Sequence, residues 1–226
     1  MNESDLQYLL AAPDGRTVIR TGRLVIRELV RKDAIALSHM LQDISENEAG
    51  SLEPALKNMI TSGDTDTDEM IMRLGALIAG DITDQYRFFG YGLWGVFLAD
   101  GQDSVAADYG ASERAHYSSE EISPENPAVR NSRILGSICV KSQKIIGLAG
   151  LKNGSAAGIG EICYYICPEY RRQGFAYEAC MAVMDYAKEC GFESLEARTG
   201  ASNLRSLRLL DKFRASGPLP IDILYT

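Results

Sequence analysis

The chain has 226 residues, 46% hydrophobic and 24% charged, with a formal net charge of -8. That length suits one domain with a sizeable core, and net acidity argues against a nucleic-acid partner. No apolar run is long enough to span a bilayer, and the opening MNESDLQYLL has no basic region ahead of an apolar core, so a cytoplasmic protein with no membrane partner is expected.

Taken in chain order, Thr17–Leu29 reads as one strand: Leu24, Ile26 and Glu28 alternate with Val25, Arg27 and Leu29. The segment VRKDAIALSHMLQDI then reads as a helix opened by Asp33, with Ile35, Leu37, Met40 and Leu41 on one side. Two further helices are expected in SLEPALKNMITSG and TDTDEMIMRLGALIAGDI, the second with capping-box spacing at Asp66 and Glu69. YGLWGVFLAD predicts a strand with Trp94 in the core. The polar, acidic stretch Gly101–Ser132 has no periodicity and reads as a long functional or disordered loop. RILGSICV and KIIGLAGL predict a hairpin joined at Lys141-Ser142-Gln143.

The last third is the most legible. GEICYYIC predicts a strand with Ile162, Tyr164 and Ile166 on one face and Glu161, Cys163, Tyr165 and Cys167 on the other. Pro168 ends it. A helix from Ala176 to Cys190 buries Ala176, Ala179, Cys180, Val183, Ala187 and Cys190 and stops at Gly191. FESLEART predicts a strand, NLRSLRLLDKF a helix capped by Asn203, and IDILYT a closing strand.

Five cysteines at irregular spacing, Cys139, Cys163, Cys167, Cys180 and Cys190, do not form a disulfide framework. Cys163 and Cys167 on one strand face stand about 13 Å apart, too far to share a metal ion, so buried thiols and no metal are expected. The charge is uneven. Asp43–Glu125 carries 17 acidic against 4 basic residues, and the chain from Asn126 onward carries 9 against 13.

Between the predicted strand and helix stands Arg171-Arg172-Gln173-Gly174. A helix start presents unpaired N–H groups and partial positive charge. With basic residues beside it and a glycine that lets a ligand approach the backbone, it suits a phosphate. No Gly-Lys-Ser/Thr follows, which excludes a P-loop, and GIGEIC at Gly158 precedes a strand, which excludes a dinucleotide fingerprint.

The order Arg171-x-x-Gly174-x-Ala176, approached through Pro168-Glu169-Tyr170, resembles the pyrophosphate-binding motif of the GNAT superfamily of N-acetyltransferases. Asn203-Leu204-Arg205-Ser206 resembles that family's later helix start. Thr21-Gly22-Arg23-Leu24-Val25-Ile26-Arg27 and Gly160-Glu161-Ile162-Cys163-Tyr164 resemble strands of its ribosomal-protein N-acetyltransferase branch. Two departures stand out: residues 100–132 are longer than the usual connection, and DKFRASGPLPIDILYT lacks the usual glycine-phenylalanine pair.

The resemblance implies an α/β (α+β) fold with a mixed central sheet, flanking helices and a splayed central strand, forming a single domain over residues 1–226 with the acidic stretch as an insertion. It implies acetyl-CoA as co-substrate, held by the turn Arg171, Arg172, Gln173, Gly174, Phe175 and Ala176, by the backbone of Tyr165 and Ile166, and by Asn203 near the pantetheine arm. Glu161 is the implied base, with a solvated strand-end glutamate as the plainer alternative. Ser206 is the implied acid for the leaving thiolate, or else a surface serine. His39 and His116 match no catalytic position. The expected activity is acetyl transfer to the primary amine of a small molecule or peptide, by direct attack in a ternary complex. The alternative is an acyl-CoA-binding sensor or scaffold. If the acids of Asp43–Glu125 rim the acceptor side, the acceptor is a cation. A homodimer completes the expectations.

Overall fold

The computed structural model describes residues 2–10, 15–42, 44, 56, 58, 67–99 and 144–225. The expectations placed on residues 51–63 (apart from 56 and 58), Asp66 and 100–143, with His116 and Cys139, lie outside these.

The described strands form one seven-stranded sheet in sequence order: β1 Thr17–Arg20, β2 Leu24–Glu28, β3 Leu93–Leu98, β4 Ile145–Asn153, β5 Ile159–Ile166, β6 Ser194–Thr199 and β7 Ile221–Tyr225. Pairing is antiparallel from β1 to β5 and parallel from β5 to β7. The switch follows from the connections. Parallel neighbours need a crossover, usually helical, and two helices supply it: α5 Phe175–Glu189 between β5 and β6, and α6 Leu204–Ser216 between β6 and β7. The expected closing strand is therefore present, as an edge strand beside β6.

The other helices among the described residues include α1 Glu3–Leu10, α2 Ala34–Gln42, α3 Thr67–Leu77 and α4 Thr83–Phe89. Three expectations need correction. Thr17–Leu29 is not one strand but a hairpin, because Thr21 N–H donates to the Leu24 carbonyl at 2.9 Å and turns the chain at Gly22. The helix expected to end at Ile82 continues through a π-helical turn, Ile78–Ile82, into α4 and stops at Gly90, whose φ is 78°. Cys190, expected on the buried face of α5, is exposed at the helix end, while Met184 is buried.

Cross-strand register assigns the two faces of the sheet. Trp94, Ala149 and Tyr164 are consecutive partners and share one face. There Trp94 meets Tyr186 of α5 edge-on at 5.3 Å and Tyr164 meets Phe213 of α6 at 6.4 Å. Arg27, Gly95, Leu148 and Tyr165 share the other face, which α2 covers with α3 packed against it. The buried pair Arg27–Asp33, two contacts of 2.8 Å, ties β2 to the start of α2, and Arg27 lies 3.9 Å over the Phe97 ring. Asp33 also accepts from Val30 N–H at 2.9 Å, the helix-opening role its sequence position suggests. Trp94 is fully buried, as expected of a core residue. No helix among the described residues is long and apolar enough to cross a membrane.

Candidate functional site

The site begins where β5 and β6 part. Their parallel pairing runs through Ile159–Ser194, Gly160–Leu195 and Glu161–Glu196 and stops there, while β5 stays paired to β4 as far as Ile166. This is the splay expected of the central strand. Strand alternation decides which backbone groups face the opening. Cys167 N–H donates to the Ile146 carbonyl, so by alternation the backbone of Tyr165 is directed at β4 and that of Tyr164 and Ile166 at the β6 side. Of the two residues expected to serve through their backbone, Ile166 faces the opening and Tyr165 faces the neighbouring strand.

Beyond Ile166, Pro168–Tyr170 makes one 3-10 turn and the chain reaches α5 through two left-handed residues, Arg172 at φ 62° and Gly174 at φ 84°. Gly174 is the N-cap of α5. With no side chain it cannot cap, so the first N–H groups of the helix face outward with the helix dipole behind them. Any other residue at that φ would be strained. Arg172 and Gln173 are exposed, Ala176 is half-buried, and Phe175 is buried with its ring 6.5 Å from that of Tyr170. Arg171 folds back. Its Nε donates to the Ile166 carbonyl at 2.8 Å, and its guanidinium lies 5.3 Å from the Tyr165 ring centre.

The two expected catalytic residues stand on opposite faces of β5. Glu161 is buried, with Lys152 Nζ 3.1 Å from Oε1 and Arg198 Nε 3.0 Å from Oε2. Lys152 is its partner on β4 and Glu196 its partner on β6, so register alone gathers this cluster. Glu196, also buried, accepts from Ser155 Oγ at 2.8 Å and lies 3.5 Å from Arg198 Nη2. The Lys152–Glu161 contact is an ion pair and not an aligned hydrogen bond, since Oε1 lacks a hydrogen-bond partner. Glu161 is thus no solvated strand-end glutamate.

On the other face, Ser206 Oγ and Tyr164 Oη are 2.7 Å apart, a hydrogen bond between α6 and β5. Burial pushes the Tyr164 phenol well above its ordinary value, against a smaller opposing effect of Ser206, so its proton stays on at neutral pH. The Asn203 side chain accepts from Ser206 N–H at 3.2 Å and caps α6. Burial likewise pushes the Cys167 thiol up to about 12, which leaves it unreactive as a nucleophile. Among the described residues, no group of three or more His, Cys, Asp or Glu could hold a metal ion.

Sequence reasoning missed Lys152, Arg198 and Glu196, which only strand register brings to Glu161, and Tyr164, which a contact across 42 residues brings to Ser206. A signal for the first three existed in the alternation of LEART and GLKN, but not their alignment with Glu161.

A family model described as an acetyltransferase (GNAT) domain matches residues 102–216, just over half of the chain. Solved structures are similar in fold. An acetyltransferase from Agrobacterium tumefaciens is 17% identical, with 88% of this chain and 83% of that chain covered and a TM-score of 0.50. A ribosomal L7/L12 alpha-N-protein acetyltransferase in complex with coenzyme A is 12% identical over 87% and 82% of the two chains, with a TM-score of 0.53. A ribosomal-protein-S5-alanine acetyltransferase from Vibrio fischeri is 12% identical over 86% and 80%, with a TM-score of 0.52. At these identities the likeness is one of fold. No curated protein matches the chain in sequence.

Proposed function

Since the chain belongs to the GNAT acetyltransferase family, we propose that it transfers the acetyl group of acetyl-CoA to a primary amine, by direct attack within a ternary complex. The observation that carries this reading is the turn into α5: Gly174 at φ 84° as an N-cap without a side chain, flanked by Arg171 and Arg172, where β5 has left β6. These residues fit a pyrophosphate, because outward N–H groups and a helix dipole meet there with the exposed cation of Arg172 beside them, while Arg171 braces the turn from behind through the Ile166 carbonyl. The Ile166 backbone, directed into the opening, suits the amide-bearing arm of the cofactor. Asn203 acts through Ser206, whose N–H its side chain accepts.

Acetyl-CoA supplies an activated thioester. The chain's part is to hold it, to take a proton from the amine and to give one to the departing thiolate. Glu161 serves as the base from the face bearing Lys152 and Arg198. Ser206 serves as the acid from the α6 face, with Tyr164 holding its hydroxyl in place. Base and acid on opposite faces of one splayed strand suit an amine that enters from one side and a thiol that leaves from the other.

The acceptor is a cationic amine of a small molecule or peptide. Support comes from the charge of Asp43–Glu125, 17 acidic against 4 basic residues, beside a cofactor half with 9 against 13. Thiol release from acetyl-CoA, followed over cationic and anionic amines of similar size, tests both parts. Release is expected with cationic amines, and their advantage is expected to shrink as salt screens the charges. Tight acetyl-CoA binding with no thiol release over the panel would favour a sensor. A preference for anionic amines would sink the steering argument alone.

A further inference from the structure

Arg23 lies in the turn between β1 and β2, 150 residues from the cofactor turn in sequence and directly against it in space. Its Nη1 donates to the Gln173 carbonyl at 2.9 Å. Its Nε and Nη2 meet Glu178 Oε2 at 2.7 and 2.6 Å, and its backbone N–H meets Oε1 at 3.0 Å. Thr21 Oγ1 donates to the same Oε1 at 2.5 Å. The guanidinium lies 4.5 Å from the Phe175 ring centre, and Nη2 would stand 3.3 Å from a Cβ built on Gly174.

Glu178 presents a difficulty that this arrangement resolves. It sits in the first turn of α5, the end that meets the phosphates. A carboxylate there suits the helix dipole but opposes a bound polyanion. Burial raises its pKa, yet the hydrogen bonds from Thr21 and Arg23 outweigh this and hold it below the ordinary value, so Glu178 is ionised at neutral pH. The cation that offsets it comes from another element of the fold.

We propose that Arg23 is a positioning residue of the acetyl-CoA site, which neutralises Glu178 and fixes the Gln173 peptide so that the turn can accept the cofactor's phosphates. This rests on the acetyl-CoA reading above and adds a residue from the β1–β2 turn to that site. Arg23 thereby makes cofactor affinity depend on how the first hairpin docks on α5.

The test is calorimetric titration of the full chain with coenzyme A. The variants are Arg23→Ala, Glu178→Gln and the two combined, with circular dichroism to establish folding. Arg23→Ala should weaken binding about 10-fold or more, the size of one charge-assisted contact. The combined variant should recover most of that loss, because no carboxylate remains to be offset. The loss should also shrink with rising salt. A purely structural role would leave the combined variant as weak as Arg23→Ala, and that result would overturn the proposal, as would Arg23→Ala binding like wild type. If Arg23→Ala does not fold, Glu178→Gln decides. It leaves Arg23 unopposed and should tighten binding by roughly 3-fold, and unchanged or weaker binding would overturn the proposal. Failure of the wild-type chain to bind coenzyme A is a distinct outcome that defeats the underlying function as well.

Discussion

At the scale of single residues, two hydrogen-bonded groups, Glu161 and Ser206, stand on opposite sides of β5. Replacing Glu161 with glutamine keeps its shape but removes the base, and should lower turnover by about 10²-fold. Steady-state kinetics at saturating acetyl-CoA reads this. If turnover is unchanged, the base is another group or water. For the acid, Ser206→Ala should cost turnover more than acetyl-CoA binding. Because Tyr164 and Ser206 stand 2.7 Å apart, Tyr164→Phe should lose much of the same activity, and the double variant should be little worse than Ser206→Ala. Additive losses would mean that Tyr164 does not act through Ser206. The sequence pointed to Glu161 and Ser206 because each falls at a recognisable place in a local pattern. It did not point to Tyr164, Lys152 or Arg198, because their significance lies in register and in a contact between β5 and α6. Alternation tells which face a side chain takes, not which neighbour it meets there.

At the scale of elements, the turn into α5 was legible because its physics is local: a proline ends a strand, basic residues follow, and a glycine opens a helix. The β1–β2 hairpin was legible only as a polar break, Arg20-Thr21-Gly22-Arg23, and the β-branched residues on either side of it read together as one strand. The run from α3 into α4 was hidden because Gly80 and Asp81 look like a helix end, whereas a π turn carries the helix onward. The hairpin and α5 share one titrating contact with a measurable signature. Glu178 has a lowered folded-state pKa, so its contribution to stability is fully present above the unfolded-state value of about 4. It is lost as pH falls through the lower folded-state value. Thermal melts between neutral and strongly acidic pH should show this acid limb, and Glu178→Gln should flatten it. An equally steep limb in the variant would place the proton uptake elsewhere.

At the scale of the whole molecule, two crossovers convert an antiparallel sheet into a parallel one, and the opening between β5 and β6 lies between those halves. The turn proposed to hold the cofactor sits at the carboxyl end of β5, Glu161 stands near the start of that strand, and Ser206 reaches it from α6 through Tyr164. Fold class and the strand–turn–helix geometry at Gly174 were readable from sequence since they depend on pattern and order, while the ion cluster around Glu161 waited for the register of three strands. The most direct test of acetyl transfer is mass spectrometry of the products. The wild-type chain is incubated with acetyl-CoA and a cationic amine beside a Gly174→Ala variant, whose Cβ is strained at φ 84°. Acetylated amine and free CoA thiol should form one for one with the wild type, and markedly less of both with the variant at limiting acetyl-CoA. Acetyl-CoA consumed or bound without any acetylated amine, or a variant as active as wild type under those conditions, would contradict acetyl transfer through this turn.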